Sequence, residues 1–335
     1  MRITRETLFK IAHDTALQRA RANRRITCIY LTGSLRRDDP LLGGTADIDL
    51  FIIHDSEPLM AREMVRLSDE VHLDIAHLSG DVYQQPRHLR ADPWVGGYLC
   101  DNPIVLHDQA HWFEFTQASV NAQFYQPDYV IERAEPLAEG ARQTWINLHT
   151  GTFEPGPQKL MAYLSTLEKA ANAIACLTGV PLTERRFLLN YPQRTQLIGR
   201  PGLASGLVDL LTSEQAISEE TWQTWMVGWN AACQAVGELE TCPARLLPCR
   251  RGYYARAVLA LRSDHPEAAL WLLLRTWTMA LCNLPENAAY RQPWEAALQT
   301  LQLDEEHAPL RLAALDAYLD SVEETLDVWS KTNGV

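Results

Sequence analysis

ITCIYLTGS (26–34), DIDLFII (47–53) and VHLDIAHL (71–78) are the stretches that decide the fold. The first is a compact β-rich run that ends at Gly33-Ser34. The second opens on Asp47-Ile48-Asp49 and continues apolar, and the third alternates apolar and polar, as a half-buried strand does. Between the first two lies a polar, glycine-containing loop, LRRDDPLLGGTA (35–46). A shorter apolar run, PIVL (103–106), predicts one further strand.

Around these strands the pattern is helical. Residues 4–24 predict a helix with Thr4 as N-cap and Leu8, Ile11, Ala12 and Ala16 along one face. Residues 58–70 predict a second, with Pro58 near its first turn. From residue 109 strand signals vanish, and helical patterns cover 109–121, 128–149, 157–178, 213–240, 264–282 and 306–329. The expected organisation is an α+β domain over residues 1–108 followed by an all-α domain over 109–335, with a subdivision near 245 where CPARLLPC (242–249) interrupts the helices.

The chemistry concentrates in 31–74. Side chains alternate across a strand, so Asp47 and Asp49 leave the same face, about 7 Å apart along the chain. Asp74 interrupts an apolar strand, where a lone carboxylate is costly to bury. If its strand lies beside the first, three carboxylates converge, repel one another and favour a divalent cation such as Mg²⁺. Gly33-Ser34 closes a strand and is expected to open a helix, whose free N–H groups and positive dipole end suit an anion. A phosphate cradle beside a metal-binding carboxylate pair is the equipment for phosphoryl or nucleotidyl transfer.

These residues, Leu31-Thr32-Gly33-Ser34, twelve intervening positions, Asp47-Ile48-Asp49, then Leu73-Asp74-Ile75, resemble the DNA polymerase β-type nucleotidyltransferase superfamily. The resemblance covers residues 25–108, including PIVLHD (103–108), and extends to no motif in the helical remainder. It implies a mixed sheet with flanking helices. It implies that Gly33 and Ser34 hold the β- and γ-phosphates of a nucleoside triphosphate, ATP first among them. Asp47 and Asp49 would bind two Mg²⁺ ions, and Asp74 would complete the second metal site or take the proton of the attacking hydroxyl. Arg36 and Arg37 read either as a triphosphate clamp or as a solvated loop partnered by Asp38 and Asp39. Lys159 and Lys169, on the first long helix of the all-α part, are the basic residues there that either reach the triphosphate or lie on the surface; Lys169 is the candidate ligand.

The expected activity is transfer of a nucleoside monophosphate to a hydroxyl of a small acceptor, with pyrophosphate released, as in aminoglycoside nucleotidyltransferases. The alternatives are a toxin–antitoxin-type enzyme modifying a protein or a tRNA end, and a catalytically silent nucleotide-binding protein.

Composition sets the outer limits. The chain has 335 residues, 47% hydrophobic, and a formal net charge of −12. That charge opposes a general nucleic-acid binder, which needs a basic face, and suits a cationic acceptor. No apolar run approaches the roughly 20 residues that span a bilayer. The first residues lack the apolar core of a signal peptide, so a cytoplasmic location is expected. Seven cysteines without a CxxC pair read as buried free thiols. His107 and His111 have metal-ligand spacing without the glutamate of a zinc hydrolase. His72 faces the same side as Asp74 and is either a border of the site or structural. Arg185-Arg186 ahead of Phe187 and Tyr191 read as an amphipathic helix or a nucleotide contact, and Trp222, Trp225 and Trp229 as core.

Overall fold

The computed structural model describes residues 3–213, 216–286 and 289–335. The chain forms two compact units, Met1–Val130 and Ile131–Val335.

The first unit opens on helix α1 (Arg5–Ala22), capped by Thr4, whose side chain accepts from the Thr7 N–H at 3.2 Å. Strands β1 (Ile26–Thr32), β2 (Ala46–His54), β3 (Arg62–Arg66), β4 (Val71–Ser79) and β5 (Ile104–Asp108) form one mixed sheet in the order β3-β4-β2-β1-β5. β2 and β4 pair in parallel; the other neighbours are antiparallel. One face is continuous core. Ile29, Leu31, Ile48, Leu50, Ile52, Leu73 and Ile75 pack with Leu8, Ala12 and Ala16 of α1. The opposite face is covered over only part of its area. There Cys28, Tyr30, Phe51, Ile53 and Leu78 pack with Leu89 of α2 (Pro86–Ala91), Leu99 of α3 (Val95–Cys100) and Phe113, Val120 and Phe124 of α4 (Phe113–Phe124). Tyr30 stacks on Phe51 at 5.0 Å and shares a buried 2.8 Å hydrogen bond with Tyr83.

Two expectations of local structure are corrected. Residues 58–70 are not a helix: 62–66 form the edge strand β3, paired in register with β4 from Arg62↔Ala76 to Arg66↔His72. The helix-forming Arg, Glu and Met yield to the open edge of β4, which offers a row of unpaired backbone groups, and Val65 gains contact with the α1-side core. The first compact unit runs to Val130, and the aromatic face of α4 packs in its core. Gly33-Ser34 opens only a four-residue 3-10 helix, Gly33–Arg36.

The boundary between units falls within α5 (Pro127–His149). The second unit continues through α6 (Pro157–Cys176), α7 (Phe187–Leu197), α8 (Gly202–Asp209), α9 (Glu219–Gly237), α10 (Pro248–Leu261), α11 (Pro266–Leu281), α12 (Arg291–Leu301) and α13 (Ala308–Asn333). It runs through residue 245 undivided. Of the expected helix over 213–240, positions 214 and 215 lie outside the described residues. The core is aromatic: Trp222, Trp225 and Trp229 are buried as their spacing required, with Trp271, Trp277 and Trp294. Trp229 Nε1 donates to Thr276 Oγ1 at 2.9 Å and Trp294 Nε1 to Thr278 Oγ1 at 3.1 Å, so these two indoles keep partners inside the core, whereas the buried Nε1 atoms of Trp271 and Trp277 make no hydrogen bond among the described residues. Arg275 binds Glu168 at 2.6 Å, and burial pushes the Glu168 carboxyl above the usual range. All seven cysteines are free thiols, four of them buried. Among the described residues no helix is long and apolar enough to cross a membrane.

Candidate functional site

Where α2–α4 stop covering the sheet, its face turns acidic. The register brings this about. Asp49 of β2 stands opposite Asp74 of β4, Asp47 opposite His72, and Thr32 of β1 opposite Asp49. Paired residues of neighbouring strands share a face, so these five side chains leave the sheet on one side. Asp47, Asp49 and Asp74 each bring a carboxylate oxygen to within 4.8 Å of the other two. Asp47 and Asp74 are buried and Asp49 is half-buried. Three formal negative charges at that separation repel by roughly 3–4 kcal/mol per pair at an effective dielectric near 20.

The 3-10 turn after β1 closes over this cluster. Gly33 has φ +76°, and a Cβ there would lie 1.9 Å from Asp49 Oδ2. Only glycine lets the backbone of the turn come this close to the carboxylate in that conformation. Arg5 of α1 holds the turn, donating from Nε to the Leu35 carbonyl at 3.2 Å and from Nη2 to the Arg36 carbonyl at 3.0 Å. Ser34, half-buried, follows Gly33 in the turn. Arg36 reaches Asp101, Nη2 to Oδ1 at 3.0 Å, and Arg37 is exposed. Of the two readings for this arginine pair, Arg36 has a carboxylate partner, but it is Asp101 rather than Asp38 or Asp39.

Two groups at the cluster escaped sequence reasoning. Arg62 binds both oxygens of Asp74, Nε to Oδ1 at 2.6 Å and Nη2 to Oδ2 at 2.5 Å. Reading 62–66 as a strand would have put Arg62 on the Asp74 face, since Met64 is the register partner of Asp74 and Arg62 lies two residues along. Thr32 Oγ1 is buried and makes no hydrogen bond among the described residues. The alternation of β1 places it beside Asp49. His72, wholly buried, sets its Nδ1 3.8 Å from Asp47 Oδ1 and so borders the site.

The donors suit a hard divalent cation. All are oxygens, three are carboxylate, and a buried hydroxyl without a partner lies next to Asp49. This is the one group of three or more potential metal ligands among the described residues, and neither His107 nor His111 belongs to such a group. Lys169 lies in the second unit, where its Nζ donates to Thr144 Oγ1 at 3.3 Å and to the Gly140 carbonyl at 3.4 Å. Lys159 pairs with Glu305 at 2.5 Å. Arg185 lies against the ring of Tyr253, 3.6 Å from its centroid. The structure thus gathers Gly33, Asp47, Asp49 and Asp74 and gives Lys159 and Lys169 partners inside the helical unit.

No protein-family model matches the chain, and no curated protein matches it in sequence.

Proposed function

We propose that the protein is a Mg²⁺-dependent nucleotidyltransferase of the polymerase β type, moving a nucleoside monophosphate from ATP to a hydroxyl of a small acceptor. The observation that carries this reading is the convergence of Asp47, Asp49 and Asp74 under the Gly33 turn. Asp47 and Asp49 would hold the ion, which when bound neutralises phosphate charge and lowers the pKa of the attacking hydroxyl. Gly33 leaves its backbone open to a phosphate, with the Ser34 hydroxyl as a further donor. Asp74 would take the hydroxyl proton as the acceptor oxygen bonds to the α-phosphorus and the bond to pyrophosphate breaks. Its two oxygens offer about four lone-pair positions, of which Arg62 uses two. The net charge of −12 favours a cationic acceptor. Arg36 and Arg37 are the proposed basic contacts to the triphosphate.

Calorimetry with ATP tests this: binding should strengthen on adding Mg²⁺, and Asp47→Ala or Asp49→Ala should abolish the gain. Asp74→Asn should leave Mg²⁺–ATP affinity nearly intact and cut turnover roughly 10²–10⁴-fold, the usual contribution of a positioned base. ATP binding in the wild type that is indifferent to Mg²⁺ would refute the reading. The bidentate hold of Arg62 on Asp74 favours one second reading, a catalytically silent nucleotide-binding protein. In that case Mg²⁺-dependent binding survives and no acceptor is modified.

A further inference from the structure

Arg62 has a particular setting. β3 is the outermost strand, and the register partner of Arg62 on β4 is Ala76, two residues beyond Asp74 on the same face. The small Ala76 leaves room for the longer side chain to lie back along β4. The planar fork of the guanidinium then meets the carboxylate edge-on, with both oxygens engaged at 2.6 and 2.5 Å. Asp74 is buried while the arginine side chain is 47% exposed, so the charge is delivered from the rim of the cluster inward.

A divalent ion brought to Asp74 would meet this guanidinium at close range. Three carboxylates carry a formal charge of −3, and one arginine reduces it to −2. A single divalent cation neutralises that remainder, whereas a second would require Arg62 to leave. The buried, unpartnered Thr32 hydroxyl beside Asp49 places the vacant oxygen donor on the side of the cluster away from Arg62, since β1 and β3 flank the β2–β4 pair from opposite sides.

We propose that Arg62 is the standing cation partner of Asp74, so that the carboxylate cluster takes one divalent ion, held by Asp47 and Asp49, instead of two. The inference rests on reading the cluster as a metal site, as in the proposed function. Arg62 is on this view a positioning residue: it fixes the Asp74 carboxylate and supplies there the positive charge that a second ion would otherwise bring. An arginine has no open coordination positions, so Asp74 is left to face the acceptor hydroxyl and not a second metal.

Counting bound Mn²⁺ by the loss of its free electron paramagnetic resonance signal tests this. The full chain is titrated alone and again with a methylene-bridged ATP analogue, against analogue without protein. The wild type should saturate at one protein-bound ion per chain. Arg62→Ala and Arg62→Gln should take up a second ion at least tenfold more tightly than the wild type does. Arg62→Lys, which keeps the charge, should remain at one. Arg62→Gln guards against loss of fold in the alanine variant, because it keeps the stem of the side chain and an uncharged N–H donor at its end. Two ions of similar affinity in the wild type, an equal count in wild type and Arg62→Gln, or no bound ion at all would overturn the inference. If the counts come out as expected with Mn²⁺ alone but the analogue fails to bind, the inference stands and the nucleotidyltransferase reading fails.

Discussion

Replacing Gly33 by alanine separates the two demands this position makes. The residue has φ +76°, and a Cβ would sit 1.9 Å from Asp49 Oδ2, 2.6 Å from its Cγ and 3.0 Å from its Cβ. The left-handed backbone alone costs a non-glycine residue roughly 1–2 kcal/mol. Forcing a methyl group into a filled space costs about 1–3 kcal/mol more. Gly33→Ala should therefore destabilise the first unit by roughly 2–5 kcal/mol. Gly44 is the internal control: its φ is +74°, and nothing lies within 4 Å of a Cβ built there. Gly44→Ala should cost only the backbone share, roughly 1–2 kcal/mol. Hydrogen exchange of peptides spanning 26–54, read by mass spectrometry, reports the opening free energy of this unit separately from the tryptophan-rich helical one. Adding Asp49→Ala to Gly33→Ala removes the two shortest contacts and should restore about 1–3 kcal/mol relative to the sum of the single changes. Equal effects of the two glycine substitutions, with no coupling to Asp49, would refute the claim that the turn is seated on that carboxylate.

Stability should fall with acidity through the His54–His77 pair, whose ring nitrogens Nε2 and Nδ1 lie 3.0 Å apart. Burial is the main cause pushing both imidazoles below their ordinary value; His77 and Arg25 push the same way on His54, and Arg19 on His77, against Asp55 and Glu63. The folded state then binds fewer protons than the unfolded one, so stability is full above about pH 6.5 and declines as pH drops through that value. Urea midpoints between pH 7.5 and 5 should show the decline, and His77→Gln should shallow it; a midpoint indifferent to pH over that range would count against the pair. Tyr30→Phe should cost about 1–3 kcal/mol by leaving the buried Tyr83 hydroxyl without its partner. Tyr30→Phe with Tyr83→Phe should recover part of that loss in denaturant unfolding, and strict additivity of the two would argue that the hydroxyls do not depend on each other.

The legible parts of the sequence were those with a strong period. Strands 26–32, 47–53 and 71–78 stand within a residue of their expected bounds, because their apolar runs are buried on both faces over most of their length. PIVL is read from composition alone, and the strand there, β5, begins one residue later than expected and ends two later. β3 was lost for the opposite reason. Its residues are exposed or half-buried, so no alternation marks it, while Leu59 and Met60 just before it imitate a helical stripe and are in fact exposed. With β3 went Arg62. α4 is a helix by period, but its aromatic face packs with the sheet, a contact that periodicity alone does not show. Lys169 shows a further limit: a helix position gives a face, not the partner that face meets, and here the ammonium meets Gly140 and Thr144.

Convergence of the three aspartates needed one fact that the motif does not contain, the alignment of β2 with β4. Neighbouring positions on the same face supply it. Two residues along from Thr32 stands Tyr30, from Asp49 stands Phe51, and from Asp74 stands Ala76, so the face changes from polar to apolar at one level across three strands. Tyr30 and Ile53 are buried and Phe51 and Leu78 half-buried where they pack with α2–α4, and Phe51 stacks on Tyr30. Sliding β4 by two residues against β2 would keep every side chain on its face but would set either Asp74 against Phe51 of the aromatic stack or Ala76 opposite Asp49 and Leu78 opposite Phe51, breaking the common level at which the face changes from polar to apolar. One-residue slips would turn the whole apolar set of β4 outward. The alignment Asp49↔Asp74 is thus fixed by the burial of its apolar neighbours, and the aspartates meet because the packed half of the face leaves them no other register.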